Sequence, residues 1–312
     1  MRILVTGADG FVGGHLSAYL RGRGDTVIAW AGPRPANYTP PGFDVVEVRD
    51  AAAVNLAVAS AKPDAIIHLA AISSVAQSHA EPALAFEVNA LGALHVCAAA
   101  KAITPSPRLL LVSSGEVYGN TGERPATETD VLAPTSPYAA SKVAAEAVAF
   151  QFARSYGMHI VCARPFTHLG RGQAPNFAVP AFARQLVEAR RSRARRAISV
   201  GNLDPIRDFS HVDDVIAAYG VLLDRGVSGE SYNVSSGTSR SMRSILQELM
   251  EIAEVDIDVR VDPAKVRASE LPALVGDSSK IRALGWAPRR TLRETLRDVI
   301  DDAQAQLLER EP

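Results

Sequence analysis

Tyr138 and Lys142 stand four residues apart in Tyr138-Ala139-Ala140-Ser141-Lys142, a spacing that stacks two side chains on one face of a helix. A phenol held beside an ammonium ion is expected to titrate below its ordinary range, because the positive charge favours phenolate. Such a phenol can exchange a proton with a substrate oxygen near neutral pH. The spacing alone is common, and an amphipathic helix with a solvated lysine satisfies it equally well. Position narrows the choice. Upstream, the apolar run 108–113 leads into Ser113-Ser114-Gly115-Glu116-Val117-Tyr118-Gly119. That run sets the hydroxyl of Ser114 and the carboxylate of Glu116 at the C-terminal end of a strand, where an open α/β sheet collects its ligand.

A second chemistry lies at the start of the chain. Gly7, Gly10 and Gly13 form G-x-x-G-x-x-G directly after the strand-like run 2–6 and before a helical stretch. Glycines at such a corner permit a tight turn and let backbone N–H groups approach a pyrophosphate, which the helix N-terminus attracts. The choice of dinucleotide rests on the end of the second strand, where an acid would accept the ribose hydroxyls of NAD. Here the chain reads Ala29-Trp30-Ala31-Gly32-Pro33-Arg34, with no carboxylate. NADPH is therefore expected over NADH, and Arg34 could pair with the 2′-phosphate. A solvated loop arginine is the plainer reading of Arg34.

These groups need a scaffold. Strand-like runs at 2–6, 26–31, 43–48, 65–70, 108–113 and 159–164 alternate with helical stretches at 13–22, 51–61, 87–102 and 138–156. Short apolar runs without polar alternation, separated by helices, predict a doubly wound parallel sheet covered on both faces, a Rossmann α/β fold. After residue 164 the regularity weakens. Helices are expected at 182–196, 242–253 and 292–308, and residues 209–223 read as a loop and helix that return to the first unit. The expected division is a dinucleotide-binding domain of residues 1–165 plus about 207–234. A smaller, discontinuous α/β substrate domain would take about 166–206 and 235–312.

Composition excludes several classes. With 33 basic and 34 acidic residues in 312, the net charge is −1, so no overall field draws nucleic acid or an acidic membrane. The basic run 184–196 lacks interleaved aromatics, and a solvated helix end near a phosphate-bearing ligand explains it better. Cys97 and Cys162 are too few for a disulfide scaffold. His68, His168 and His211 lack metal-ligand spacing, and no metal is assigned. No signal-peptide pattern opens the chain and no run of about 18 apolar residues occurs, so a cytoplasmic protein with reduced thiols is expected.

With these residues in view, the whole chain resembles the extended short-chain dehydrogenases/reductases. The likeness rests on residues 6–13 (TGADGFVG), 68–71 (HLAA), Asn89, 113–119 (SSGEVYG), 138–142 (YAASK) and Arg164-Pro165-Phe166. It implies that Ser114 orients a substrate carbonyl, Tyr138 donates the proton, and Lys142 holds the nicotinamide ribose while lowering the Tyr138 pKa. It implies a pyrophosphate site over residues 5–13, with Phe11 and Val12 in it, an adenine contact at Glu47-Val48, and a cofactor wall at Leu69-Ala70-Ala71. The segment 200–215 is similar to one that sugar-nucleotide enzymes of the family set near a diphosphate, which implies that role for Arg207. The tail resembles GDP-sugar enzymes, implying a diphosphate contact at Arg267, a nucleotide contact at Glu270, and base contacts at Phe177 and Arg184.

Dehydratases of the family carry an acid or serine at the position of Gly115, which has no side chain to relay a proton. Glu116, whose neighbour it is, remains. The motif at 113–119, with Arg164-Pro165-Phe166-Thr167-His168 and Gly170, Gly172 and Gln173, most resembles the reductases of GDP-4-keto-6-deoxy-D-mannose. Thr167 departs from the usual asparagine in contact with the hexose. The resemblance implies NADPH-dependent reduction of a GDP-linked 4-keto-6-deoxy sugar at C4, giving GDP-D-rhamnose, in a homodimer built on the helices that begin at Glu87 and Tyr138. An epimerase, a 4,6-dehydratase or a C4 reductase making 6-deoxy-talose or a heptose stay open.

Overall fold

The computed structural model of the protein describes residues 1–33, 41–122, 124–192, 197–266 and 271–308. Its strands are β1 (Arg2–Thr6), β2 (Thr26–Ala31), β3 (Asp44–Val45), β4 (Ala65–His68), β5 (Arg108–Val112), β6 (Ile160–Pro165) and β7 (Thr167–Leu169). They continue as β8 (Ala197–Val200), β9 (Ile206–His211), β10 (Ser231–Val234), β11 (Ser239–Ser241), β12 (Asp258–Val261) and β13 (Ala273–Leu274). The helices are α1 (Phe11–Gly22), α2 (Ala51–Ala61), α3 (Val75–Ala80), α4 (Pro82–Phe86), α5 (Gly92–Lys101) and α6 (Pro137–Tyr156). After these come α7 (Ala178–Ser192), α8 (Val212–Arg225), α9 (Met242–Ala253), α10 (Ser279–Arg282) and α11 (Leu292–Leu308).

Seven strands form one sheet in the order β10-β6-β5-β4-β1-β2-β3, and every neighbouring pair is parallel. The absence of polar alternation has its expected cause. β4 and β6 are buried along their whole length, as is β1 after Arg2. One apolar core lies on the α1 and α8 side, with Leu16, Val215 and Tyr219. Another lies on the α2, α5 and α6 side, with Val54, Val96 and Ala149. Each fully buried aliphatic side chain in these layers contributes about 1.5–3 kcal/mol. The doubly wound expectation holds, and the strand order reverses between β1 and β4, which opens the crevice where such sheets bind ligands.

Differences from the pattern reading have local causes. A seventh strand, β10, is only four residues long and contains Ser231 and Asn233, so no apolar run announces it. β3 pairs only through Asp44 and Val45, because the chain turns beyond Val46 and the Asp50 N–H donates to the Glu47 carbonyl at 3.0 Å. Residues 206–211, expected in part as loop, form β9 because β7, β11 and β13 from distant segments pair with it. A third apolar core joins α7, α9 and α11 through Leu186, Leu249 and Leu296. Helix α7 starts earlier than expected, at Ala178.

The stretch 82–101 is one continuous helical run interrupted by a π-helical turn at Glu87–Leu91. By length and composition Pro82–Lys101 could cross a membrane, yet 44% of its most apolar window is buried within the protein. Its partner α6 is capped by the Ser136 hydroxyl, which accepts the Ala139 N–H at 3.1 Å, with Pro137 at the first helical position. Tyr138, Ser141, Lys142, Ala145, Glu146, Ala149 and Phe152 form its buried stripe. The helix thus presents its phenol and its ammonium group to the sheet together.

Candidate active site

A cavity of about 680 Å³ runs along the C-terminal ends of the strands, from the glycine corner to Tyr138. At the corner, Gly7 has φ +65°, and a Cβ there would sit 2.9 Å from the backbone of Ala70. A Cβ on Gly13 would lie 2.3 Å from the Gly7 carbonyl oxygen. Gly10 is the N-cap of α1 and offers no side-chain cap, so the first N–H groups of that helix face the cavity as anion donors. Thr6 ties the two sides of the crevice together, its Oγ1 accepting the Ala70 N–H at 3.1 Å and lying 2.8 Å from Nδ1 of His68. Side chains at Gly7 or Gly13 would fill this cradle, and the residues present fit a dinucleotide.

Phe11, Val12, Leu69, Ala70 and Ala71 line the same cavity, as do Trp30, Gly32 and Pro33 at the end of β2. Glu47 and Val48 also line it, together with Arg49. The Glu47 carboxylate accepts the Arg49 guanidinium at 2.7 Å and the Arg49 N–H at 3.0 Å, which holds it below the usual carboxylate range. Arg49 also reaches Glu87 at 3.4 Å. Arg34 lies outside the described residues.

The other end of the cavity holds Ser114, Glu116, Tyr138 and Lys142. Ser114 caps the short turn after β5, its Oγ accepting the Glu116 N–H at 3.2 Å, and it is hydrogen-bonded to the Tyr138 phenol. Lys142 Nζ donates to the Val112 carbonyl at 2.7 Å, leaving further ammonium hydrogens for a ligand. Asn89, in the π-helical turn, accepts the Ile72 N–H at 2.8 Å and donates to Ser141 Oγ at 2.8 Å. Ser141 in turn donates to the Tyr138 carbonyl at 2.7 Å. One buried amide therefore ties the first turn of α6 to the segment after β4.

The expected direction of the Tyr138 pKa is not met. Burial pushes it well up, the Glu116 carboxylate adds to that, and the Ser114 hydrogen bond opposes it only in part. The ammonium ion of Lys142 is committed to the β5 carbonyl and is itself pulled down to about 8 by burial, against opposing contributions from Cys162 and Glu146. A phenol in this setting stays protonated rather than being a ready phenolate.

Thr167 and Phe177 line the cavity; Arg184 and Arg207 do not. Arg184 pairs with Glu188 at 2.9 Å on the surface of α7. Arg207 lies on β9, its guanidinium donating to the Ile206 carbonyl at 2.8 Å. Arg267 and Glu270 fall outside the described residues.

The sequence matches the GDP-mannose 4,6-dehydratase family model over residues 4–299. The chain belongs to this family. Its members are extended short-chain dehydrogenases/reductases, NAD(P)-dependent oxidoreductases of nucleotide sugars. The chain is 35% identical to GDP-6-deoxy-D-mannose reductase of Pseudomonas aeruginosa, over 99% of both chains. It is 28% identical to GDP-6-deoxy-D-talose 4-dehydrogenase of Aggregatibacter actinomycetemcomitans, over 90% of each. The solved structure of RMD from Pseudomonas aeruginosa complexed with NADPH superposes with a TM-score of 0.86 at 33% identity, covering 98% of this chain and 99% of that one.

Several residues that line the cavity or brace it from behind were not singled out from the sequence. Arg49 was hidden in a short polar stretch, although its spacing of two from Glu47 is a usable signal. Asn89 was quoted in a motif but given no contact, and an asparagine inside a helical pattern is itself a mark of a side-chain bond. Leu274 and Tyr219 reach the cavity from late segments, and nothing local marks them.

Proposed function

We propose that the protein reduces the C4 ketone of GDP-4-keto-6-deoxy-D-mannose with NADPH, giving GDP-D-rhamnose. The observation that carries this reading is one cavity that joins a glycine cradle to Ser114, Tyr138 and Lys142 beside the bare Gly115. The full-length likeness to a GDP-6-deoxy-D-mannose reductase supports the choice of sugar. Bound NADPH would supply the hydride that reaches C4. Gly7, Gly10 and Gly13 would hold its pyrophosphate, and Lys142 its ribose. The missing carboxylate at the end of β2 favours the phosphorylated dinucleotide.

Tyr138 gives its proton to the C4 oxygen; burial and the Glu116 carboxylate raise its pKa and so keep the phenol protonated until the developing alkoxide draws the proton off. Ser114, which accepts the Glu116 N–H and is hydrogen-bonded to the Tyr138 phenol, turns its hydroxyl to the same oxygen when the ketone binds. In the wider reading Thr167 and Phe177 touch the substrate, Arg207, Arg267 and Arg184 serve its phosphate and base ends, and Glu270 its nucleotide. The two-domain division of residues 1–165 plus 207–234 against the remainder, a homodimer, and a cytoplasmic setting belong to the same proposal.

A second reading, dehydration with a recycled cofactor, is favoured by one observation, the carboxylate of Glu116 in the cavity. Mixing the protein with NADPH and GDP-4-keto-6-deoxy-D-mannose separates the two. Stoichiometric loss of NADPH absorbance with a GDP-6-deoxyhexose product is expected, and NMR of that product fixes its C4 configuration. Turnover of GDP-D-mannose without net NADPH loss would replace this reading with the second.

A further inference from the structure

Phe166 sits at the junction of the large sheet and the smaller one, directly after β6 and before β7. Its ring is 2% exposed and stacks on Tyr118 with centroids 6.2 Å apart and an interplanar angle of 18°. Both edges of the ring are wedged against glycine. A Cβ on Gly115 would come within 2.9 Å of Cδ1, and one on Gly276 within 2.3 Å of Cε2. The ring therefore occupies the space that a side chain at position 115 would need. Phe166 and Leu274 both line the cavity that holds Ser114, and they share an apolar cluster with Val117 and Ala126.

We propose that Phe166, fixed between Gly115 and Gly276 and extended by Leu274, is the specificity-determining wall that receives the C6 methyl group of a 6-deoxy sugar and disfavours a C6 hydroxyl. The inference rests on the functional reading above, which puts the C4 oxygen at Ser114 and Tyr138. C6 is two bonds from C4, so a sugar held there presents C6 to the residues flanking Ser114. On this wall Phe166 and Leu274 offer aromatic and aliphatic carbon and Gly115 contributes no polar group, while the Glu116 carboxylate in the same lining acts on the Tyr138 phenol. A hydroxyl pressed against such a surface loses its water without a new partner.

The test uses two stable sugars that differ only at C6, GDP-6-deoxy-D-mannose and GDP-D-mannose, in the oxidative direction. The C4 hydrogen leaves as hydride to NADP⁺, the O4 proton leaves through the phenol to solvent, and the product is the 4-ketone and NADPH. The expected kcat/KM favours the 6-deoxy sugar by about 100-fold, the discrimination that apolar pockets achieve against an added hydroxyl. Phe166→Leu is expected to keep the ratio within about threefold even as turnover falls, since the wall stays apolar. Phe166→Leu combined with Gly115→Ser, which puts a hydroxyl on the wall once the ring is gone, should cut the ratio by about tenfold or more. A wild-type ratio below about threefold overturns the proposal, as does a large ratio that the double variant leaves unchanged. Calorimetric binding of both sugars to the wild-type protein with NADPH gives the same comparison without variants or turnover. Failure to act on either sugar, together with failure to reduce the 4-ketone, would instead bring down the functional reading beneath it.

Discussion

The two ends of the cavity are built on different principles. At the cofactor end the close approaches are backbone to backbone: Gly7 against Ala70, and Gly13 against the Gly7 carbonyl. At the carbonyl end the contacts are made by side chains from separate segments, with Ser114 after β5, Tyr138 and Lys142 on α6, Phe166 after β6 and Leu274 on β13. A backbone cradle tolerates only glycine, so it is written in a few adjacent letters. A side-chain wall depends on how distant segments meet. The first end is fixed by steric exclusion and the second by chemistry at named atoms, and substitutions should separate the two.

The largest effect is expected at the carbonyl end. Tyr138→Phe removes the proposed proton donor and should lower kcat by roughly two to four decades, with NADPH affinity by calorimetry little changed. Unchanged turnover would remove Tyr138 from the chemistry. Gly13→Ala tests the cradle. A methyl 2.3 Å from a carbonyl oxygen must push the corner apart, at a cost of about 1–3 kcal/mol, and NADPH binding should weaken while the melting temperature falls.

A pH profile sharpens the comparison between the ends. Lys142 is pulled down to about 8 by burial, against an ordinary value of 10.5, so the ammonium form dominates below about 8. Above that pH, kcat/KM for NADPH should fall about tenfold per unit, since it follows the protonated free protein. A flat profile to pH 10 would mean that Lys142 stays charged. The sign for stability is opposite. The unfolded chain binds the extra proton between about 8 and 10.5, so this group makes the fold more stable as pH rises through that window. The smallest effect belongs to Gly14, next to Gly13, where a Cβ meets nothing within 4 Å. Gly14→Ala in α1 should raise stability by about 0.5–1 kcal/mol and leave NADPH affinity unchanged, which scanning calorimetry and titration can read together.

How much could be read in advance follows the same division. The doubly wound sheet was legible because fully buried parallel strands leave unbroken apolar runs, and Gly7, Gly10 and Gly13 because a cradle admits no other residue. The i, i+4 spacing placed Tyr138 and Lys142 on one face, but spacing says nothing about burial or about where an ammonium group points, so the direction of the Tyr138 pKa was misjudged. β10 was missed because four residues with two polar members carry no periodicity. The arginines at 184 and 207 do not line this cavity, and sequence alone does not say which side of an element faces it. The wedge of Phe166 between two glycines needs Gly276, which only the folded chain brings near.

The π-helical turn at Glu87–Leu91 carries a final consequence. An α-helix turns by about 100° per residue, and a π turn is the insertion of one extra residue into that winding. Deleting any single residue between Pro82 and Lys101 on the N-terminal side of Asn89 would swing its amide away from Ile72 and Ser141, however conservative the loss looks. A graft that shifts this stretch by one position would dismantle the anchoring of α6 and move Leu84 and Val88, which line the cavity, along with it.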